Sequence, residues 1–128
     1  MLYVATRDTK GRGVYSAKKI QRDQVIERCE VLVIPEEETS LLDNTVLFNY
    51  YFCWGEDQKE GAIALGFGSI YNHSYTPNAL YRIDLDDQVL EFVALRNIPA
   101  NEEITINYNG APEDKSPLWN ADEIKWIE

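Results

Sequence analysis

The run Gly68-Ser69-Ile70-Tyr71-Asn72-His73-Ser74-Tyr75-Thr76-Pro77-Asn78 carries the only histidine of the chain, two asparagines, two tyrosines and a proline turn, with no regular hydrophobic period. It comes just after the apolar run Ala62-Ile63-Ala64-Leu65. Connecting segments travel over the surface and rarely set such a density of polar groups beside a core. The run therefore reads as one part of a site that other segments must complete.

Downstream, Ala79 to Leu85 and Val89 to Leu95 alternate apolar and polar residues around Asp86-Asp87-Gln88, which predicts a β-hairpin. A turn over Ile98 to Glu103 leads into a strand, Ile104 to Tyr108, whose hydrophobic residues alternate with Thr105 and Asn107. Beyond Gly110, Pro112 and Pro117 interrupt structure, and Leu118 to Ile127 is expected to form a terminal helix. Upstream, Tyr3 to Thr6 and Val14 to Ala17 are predicted strands on either side of a loop, Asp8 to Gly13, whose glycines allow positive φ and close backbone approach. Val25 to Ile34 is rich in β-branched residues and reads as a strand with a bend or bulge, stopped by Pro35. The carboxylates of Glu36, Glu37 and Glu38 after that proline suit the first turn of a short helix ending near Asp43-Asn44. Val46 to Trp54 concentrates aromatics before the turn Gly55-Glu56-Asp57 and is predicted to be a strand.

Many short strands, little helix and no repeats or linkers define a mainly β chain of 128 residues in one domain. A net charge of -10 argues against direct binding of a nucleic-acid backbone and favours a cationic partner such as a basic peptide, although an acidic surface also serves solubility. Cys29 and Cys53 stand far apart, with neither a disulfide framework nor a zinc-ligand pattern. No apolar run approaches the ~20 residues that span a bilayer, so no membrane partner is expected and the protein reads as intracellular.

Three signals stand in a fixed order: Gly11-Arg12-Gly13 before a strand, Asn72-His73-Ser74 with Pro77-Asn78 after it, and Glu102-Glu103-Ile104-Thr105-Ile106-Asn107-Tyr108 beyond the hairpin. Together they resemble the SET-domain protein-lysine methyltransferases over nearly the whole chain. Ala64-Leu65-Gly66-Phe67-Gly68 ahead of the Asn-His motif is similar to the minimal stand-alone SET proteins of viruses and bacteria. The resemblance implies a β-clip architecture of several small sheets with short helices and a pseudoknot-like C-terminal region, in a single SET domain over 1–128. The cysteine-rich post-SET segment of larger relatives is absent from the sequence, so no zinc is implied, and residues 111–128 take its place.

The resemblance also implies S-adenosylmethionine as cofactor and a lysine-bearing basic protein or peptide, such as a histone or ribosomal protein, as substrate. By that resemblance Lys10, Gly11, Arg12 and Gly13 present main-chain groups to the methionine part, the side chain of Asn72 binds its amino group, and His73 meets adenine mainly through its backbone. Tyr15 and Trp119 are candidates to pack on the cofactor. Tyr108 is the expected catalytic residue, since a phenol beside the methyl and the amine can orient both and complement the polarised methyl. Tyr50, Tyr71, Tyr81 and Ile106 are the expected walls of the lysine tube, where aromatic faces tolerate the charged amine before reaction. Tyr51, Phe52 and Trp54 are assigned to core or substrate wall.

Blander readings stand beside these. Gly11 and Gly13 alone would be a plain turn, and a lone histidine is more often a satisfied structural residue than a ligand or base. A nucleophilic set of Cys53, His73 and Asn72 is conceivable on composition, but nothing in the spacing requires it. The alternative function is a SET-like module that binds a basic tail without catalysis. A homodimer fits a minimal domain that borrows a neighbour's surface. The expected location is cytoplasmic in a bacterium, or the host cell or nucleus for a viral or secreted protein.

Overall fold

The computed structural model describes residues 1–7 and 11–118. In chain order its strands are β1 (Leu2–Thr6), β2 (Arg12–Ser16) and β3 (Val25–Ile34), then a short helix α1 (Glu36–Leu42) and a 3-10 turn over Val46–Asn49. There follow β4 (Phe52–Trp54), β5 (Glu60–Ala64), β6 (Asn72–His73), β7 (Ala79–Asp84), β8 (Val89–Ala94) and β9 (Glu103–Ile106). Among the described residues they form a four-stranded sheet in the order β1-β2-β9-β6 and a five-stranded sheet in the order β4-β5-β3-β8-β7.

Period-two alternation decides which residues meet. In the smaller sheet Val14 lies opposite Ile104 and Tyr15 opposite Glu103, while β6 runs parallel to β9 with Asn72 beside Thr105 and His73 beside Ile106. One face thus collects Val14, Ile104 and Ile106, all fully buried, and the other Gly13, Tyr15, Glu103, Thr105 and Asn72. The apolar face joins Phe92 and Leu90 of β8, Ile98 and the ring of Tyr71, which stacks on Phe92 at 4.4 Å between centroids. Each such side chain fully buried contributes about 1.5–3 kcal/mol.

Asn78 stitches the central stretch to the last strand. Its Nδ2 donates to the carbonyl of Glu103 at 2.8 Å and to Glu102 Oε2 at 2.9 Å, and its Oδ1 accepts from the amide of Thr105 at 2.8 Å. An amide side chain carries the same donor and acceptor as a peptide group, so Asn78 acts as a rung of ladder where Pro77 has just removed a backbone donor. Past β9 the chain turns back over this stretch. Asn107 Nδ2 donates to the carbonyls of Pro112 and Asp114, and Tyr75 Oη and Asn109 Nδ2 both donate to the carbonyl of Ser116.

The hairpin β7–β8, the short helix after Pro35 and the irregularity of β3, a register shift between Val25 and Glu27, follow the sequence reading. The predicted strand over Val46 to Trp54 does not: only Phe52–Trp54 is extended. Thr45 accepts the amide of Leu47 and caps a 3-10 turn, which leaves Val46 exposed instead of on a sheet face. Glu60–Ala64, read only as an apolar run in its last residues, is a strand paired on both sides, with β3 and β4. The strand β9 stops at Ile106, because Asn107 turns its amide to the following loop. The predicted helix from Leu118 to Ile127 falls, after Leu118, outside the described residues.

Candidate active site

The polar face of the smaller sheet gathers the first set of groups. Asn72 Nδ2 donates to the carbonyl of Arg12 at 2.7 Å and to Glu103 Oε2 at 2.6 Å. Gly13 lies against the same pair: a Cβ there would run into the Glu103 carboxylate and stand 3.2 Å from Asn72 Nδ2. Gly11 is exposed, with φ +78°, a conformation that favours glycine. Tyr15 is buried on this face, stacked on Tyr3 at 5.6 Å with the guanidinium of Arg7 4.3 Å from its ring centroid. Lys10 and Trp119 lie outside the described residues.

His73 points to the apolar side, its ring buried and edge-on to Tyr75 at 4.4 Å. Its Nδ1 accepts the amide N–H of Tyr108 at 3.0 Å, which assigns a neutral ring with its proton on Nε2. The hydroxyl of Tyr108 donates to the main-chain carbonyl of Tyr71 at 2.7 Å. Tyr108 is therefore held at its backbone and at its tip by two residues on either side of Asn72. Burial, then the neighbouring Tyr50 and Glu103, pushes its phenol pKa up, so it remains protonated at neutral pH.

On the other side of Tyr108 lies a cavity of about 380 Å³. Tyr108, Tyr81, Tyr71, Tyr50, Phe52 and Cys53 are among the residues that border it. Tyr81 packs edge-on to Phe52 at 5.0 Å, and burial, then Cys53, pushes its pKa up to about 12. Gly110 turns the chain beside that phenol at φ +102°, a conformation that favours glycine. A slot walled by phenols and apolar edges suits a long aliphatic side chain ending in an amine.

Tyr50, Tyr71, Tyr81 and Tyr108 are thus brought together at one cavity, and Gly13 and Asn72 at one polar cluster. Ile106, expected at the lysine wall, lies instead in the core, because it alternates with Thr105 and shares the face of Ile104. Glu103 and Asn109 border these places without having been singled out as site residues from sequence. For Glu103 a signal existed: period two from Ile104 sets it on the face away from the core. Among the described residues no group of three or more His, Cys, Asp or Glu side chains is placed to hold a metal ion.

The SET domain family model matches residues 11–109. The chain is 38% identical over 120 residues to the Schizosaccharomyces pombe protein named histone-lysine N-methyltransferase, H3 lysine-37 specific, covering 91% of this chain and 76% of that protein. The crystal structure of a Plasmodium falciparum candidate histone methyltransferase is similar at 30% identity with a TM-score of 0.68, over 84% of this chain and 91% of that one. The Chaetomium thermophilum Polycomb complex bound to S-adenosylmethionine shares the fold, with a TM-score of 0.68 at 20% identity over 84% of this chain and 14% of that one. A mainly β fold with a polar cluster and an aromatic slot meeting at one tyrosine is that of a SET domain, and the chain belongs to the SET-domain family. It is an S-adenosylmethionine-dependent protein-lysine N-methyltransferase, whose substrate is a lysine-bearing protein.

Proposed function

We propose that the polar face of β2, β9 and β6 holds the cofactor, that the aromatic cavity receives the substrate lysine, and that Tyr108 acts at their junction. One observation carries this reading: Tyr108 borders the cavity while its amide is bonded to His73, the neighbour of Asn72 in the polar cluster. The cluster fits S-adenosylmethionine, since the Arg12 carbonyl and the Glu103 carboxylate, both held by Asn72 Nδ2, converge as acceptors suited to an α-ammonium group. Gly13 keeps that place clear of a side chain. Gly11, Arg12 and Gly13 would supply main-chain groups, and His73 its backbone.

Bound S-adenosylmethionine supplies an electrophilic methyl group on a sulfonium. The chain's own part is alignment and dehydration. The aromatic walls exclude water and so disfavour the ammonium form of the incoming lysine, which must attack as a neutral amine. The phenol of Tyr108, its proton directed to the Tyr71 carbonyl, offers an oxygen that can accept an amine N–H and turn the nitrogen lone pair toward the methyl.

The substrate proposed is a histone tail, in the first instance that of H3 around lysine 37, supported by the specificity in the name of the Schizosaccharomyces pombe relative and by the net charge of -10. Such a substrate would set the protein to work in a nucleus. A homodimer, and a single SET domain spanning 1–128 with residues 111–128 in place of a zinc-binding segment, belong to the same proposal. Labelled cofactor with H3 peptides, intact or carrying Lys→Arg at one position each, tests the substrate. Labelling lost only with lysine 37 supports it, and equal labelling of every peptide refutes that specificity. Sedimentation equilibrium decides the dimer.

A further inference from the structure

We propose that Glu27 is a positioning residue for Tyr108, acting from behind the cavity wall. The inference rests on Tyr108 being the phenol at the reacting amine. Glu27 follows the irregularity of β3, and its carboxylate takes two bonds from one turn: Oε1 accepts the Tyr71 hydroxyl at 2.7 Å and Oε2 accepts the Phe67 amide at 3.0 Å. One side chain thus grips the turn from Phe67 to Tyr71 at both ends. Gly66, at φ +68°, lets the backbone press onto this grip, since a Cβ there would stand 2.5 Å from Glu27 Oε2.

That turn is a wall of the lysine slot. Gly68, Ser69 and Tyr71 border the cavity, and Ser69 Oγ donates across to the carbonyl of Tyr50 at 3.1 Å. The Tyr71 carbonyl, at the end of the turn, is the acceptor that holds the Tyr108 hydroxyl. A continuous path therefore runs from the Glu27 carboxylate through Tyr71 to the phenol. Stacking on Phe92 holds the plane of the Tyr71 ring but leaves sliding within that plane possible. Two bonds to one carboxylate fix that remaining freedom, and a displacement of an ångström at a reacting group costs orders of magnitude in rate.

The test measures kcat, peptide KM and cofactor Kd for Glu27→Ala, Glu27→Gln, Tyr71→Phe and Tyr108→Phe, and for Glu27→Ala combined with Tyr108→Phe. Glu27→Ala and Tyr71→Phe are expected to lower kcat about tenfold while peptide KM and cofactor Kd stay within about twofold. Glu27→Gln should keep most of the rate, because its amide can accept from Phe67 and donate to the Tyr71 oxygen. In the Tyr108→Phe background Glu27→Ala should cost nothing more, since the group it positions is gone. An equal loss in both backgrounds shows a general effect on the fold and overturns the proposal, as does full kcat in folded Glu27→Ala. Should circular dichroism show that Glu27→Ala does not fold, Tyr71→Phe decides, and wild-type turnover there overturns the proposal. Wild-type turnover by Tyr108→Phe removes the reading beneath it, whereas a loss in Tyr108→Phe with none in Tyr71→Phe removes Glu27 alone.

Discussion

The Tyr108 hydroxyl and the Tyr71 carbonyl lie 2.7 Å apart, joining the residue that leaves the last strand to the residue that precedes Asn72. The bond ties the phenol, at the edge of the cavity, to the residue before Asn72 without any other side chain between.

Tyr108→Phe removes this bond while leaving the ring and the amide bond to His73 in place. Single-turnover methyl transfer is expected to slow by about 100-fold or more, the scale on which one preorganised polar group acts at a reacting centre. Cofactor affinity, measured by titration calorimetry, should stay within about twofold.

Gly13→Ala pushes a methyl into the Glu103 carboxylate and against Asn72. The cluster must open, and cofactor affinity is expected to fall at least about tenfold, or ~1.4 kcal/mol. The cofactor-induced rise in melting temperature, read at fixed ligand concentration, should shrink accordingly. A rise equal to wild type would show that this face is not where the cofactor sits.

Asn78→Ala takes the acceptor from the buried amide of Thr105 and one donor from the carbonyl of Glu103. At about 1–3 kcal/mol for an orphaned buried amide, urea unfolding should show a loss of roughly 2 kcal/mol. Asn78→Asp keeps the acceptor for Thr105 but turns an oxygen toward the Glu103 carbonyl and Glu102, and should be no better.

Alkaline pH is expected to weaken the fold in a defined window. Burial, then Glu27, raises the Cys29 thiol from 9.0 to about 12, and burial raises Tyr81 from 10.0 to about 12. Well below pH 9 both groups are protonated whether the chain is folded or not, and they add no pH dependence to stability. Between pH 9 and 12 the unfolded chain gives up these protons first, so stability falls as pH rises. Tyr51, Tyr71 and Tyr108 are raised by burial as well, so Tyr81→Phe should lessen the fall above pH 10 without abolishing it, measured by urea unfolding at a series of pH values.

Much of this architecture was legible in the chain because its signals are local. The hairpin β7–β8 declares itself through alternation on both sides of Asp86-Asp87-Gln88, and the paired motifs around Asn72 and Tyr108 mark where chemistry collects. The aromatic run after Thr45 misled because its composition suits a strand, while a single hydroxyl capping Leu47 won the first turn for a 3-10 helix. Ile106 was misplaced because resemblance assigned it a wall, although its own alternation with Thr105 points it to the core. Glu27 was invisible for another reason: its partner Tyr71 is distant in sequence, and only the folded chain brings them together.

The two-residue strand Asn72–His73 takes its register from a strand that begins thirty residues later, with Ser74 bonded beyond it to Ile106. During synthesis the chain up to the hairpin can pair β3 with β5 and β8, but Asn72 has no ladder until β9 has left the ribosome. A chain ending before Glu103 would leave Asn72 without the register that sets it beside Thr105. Such a late, long-range closure is intrinsically slow to form.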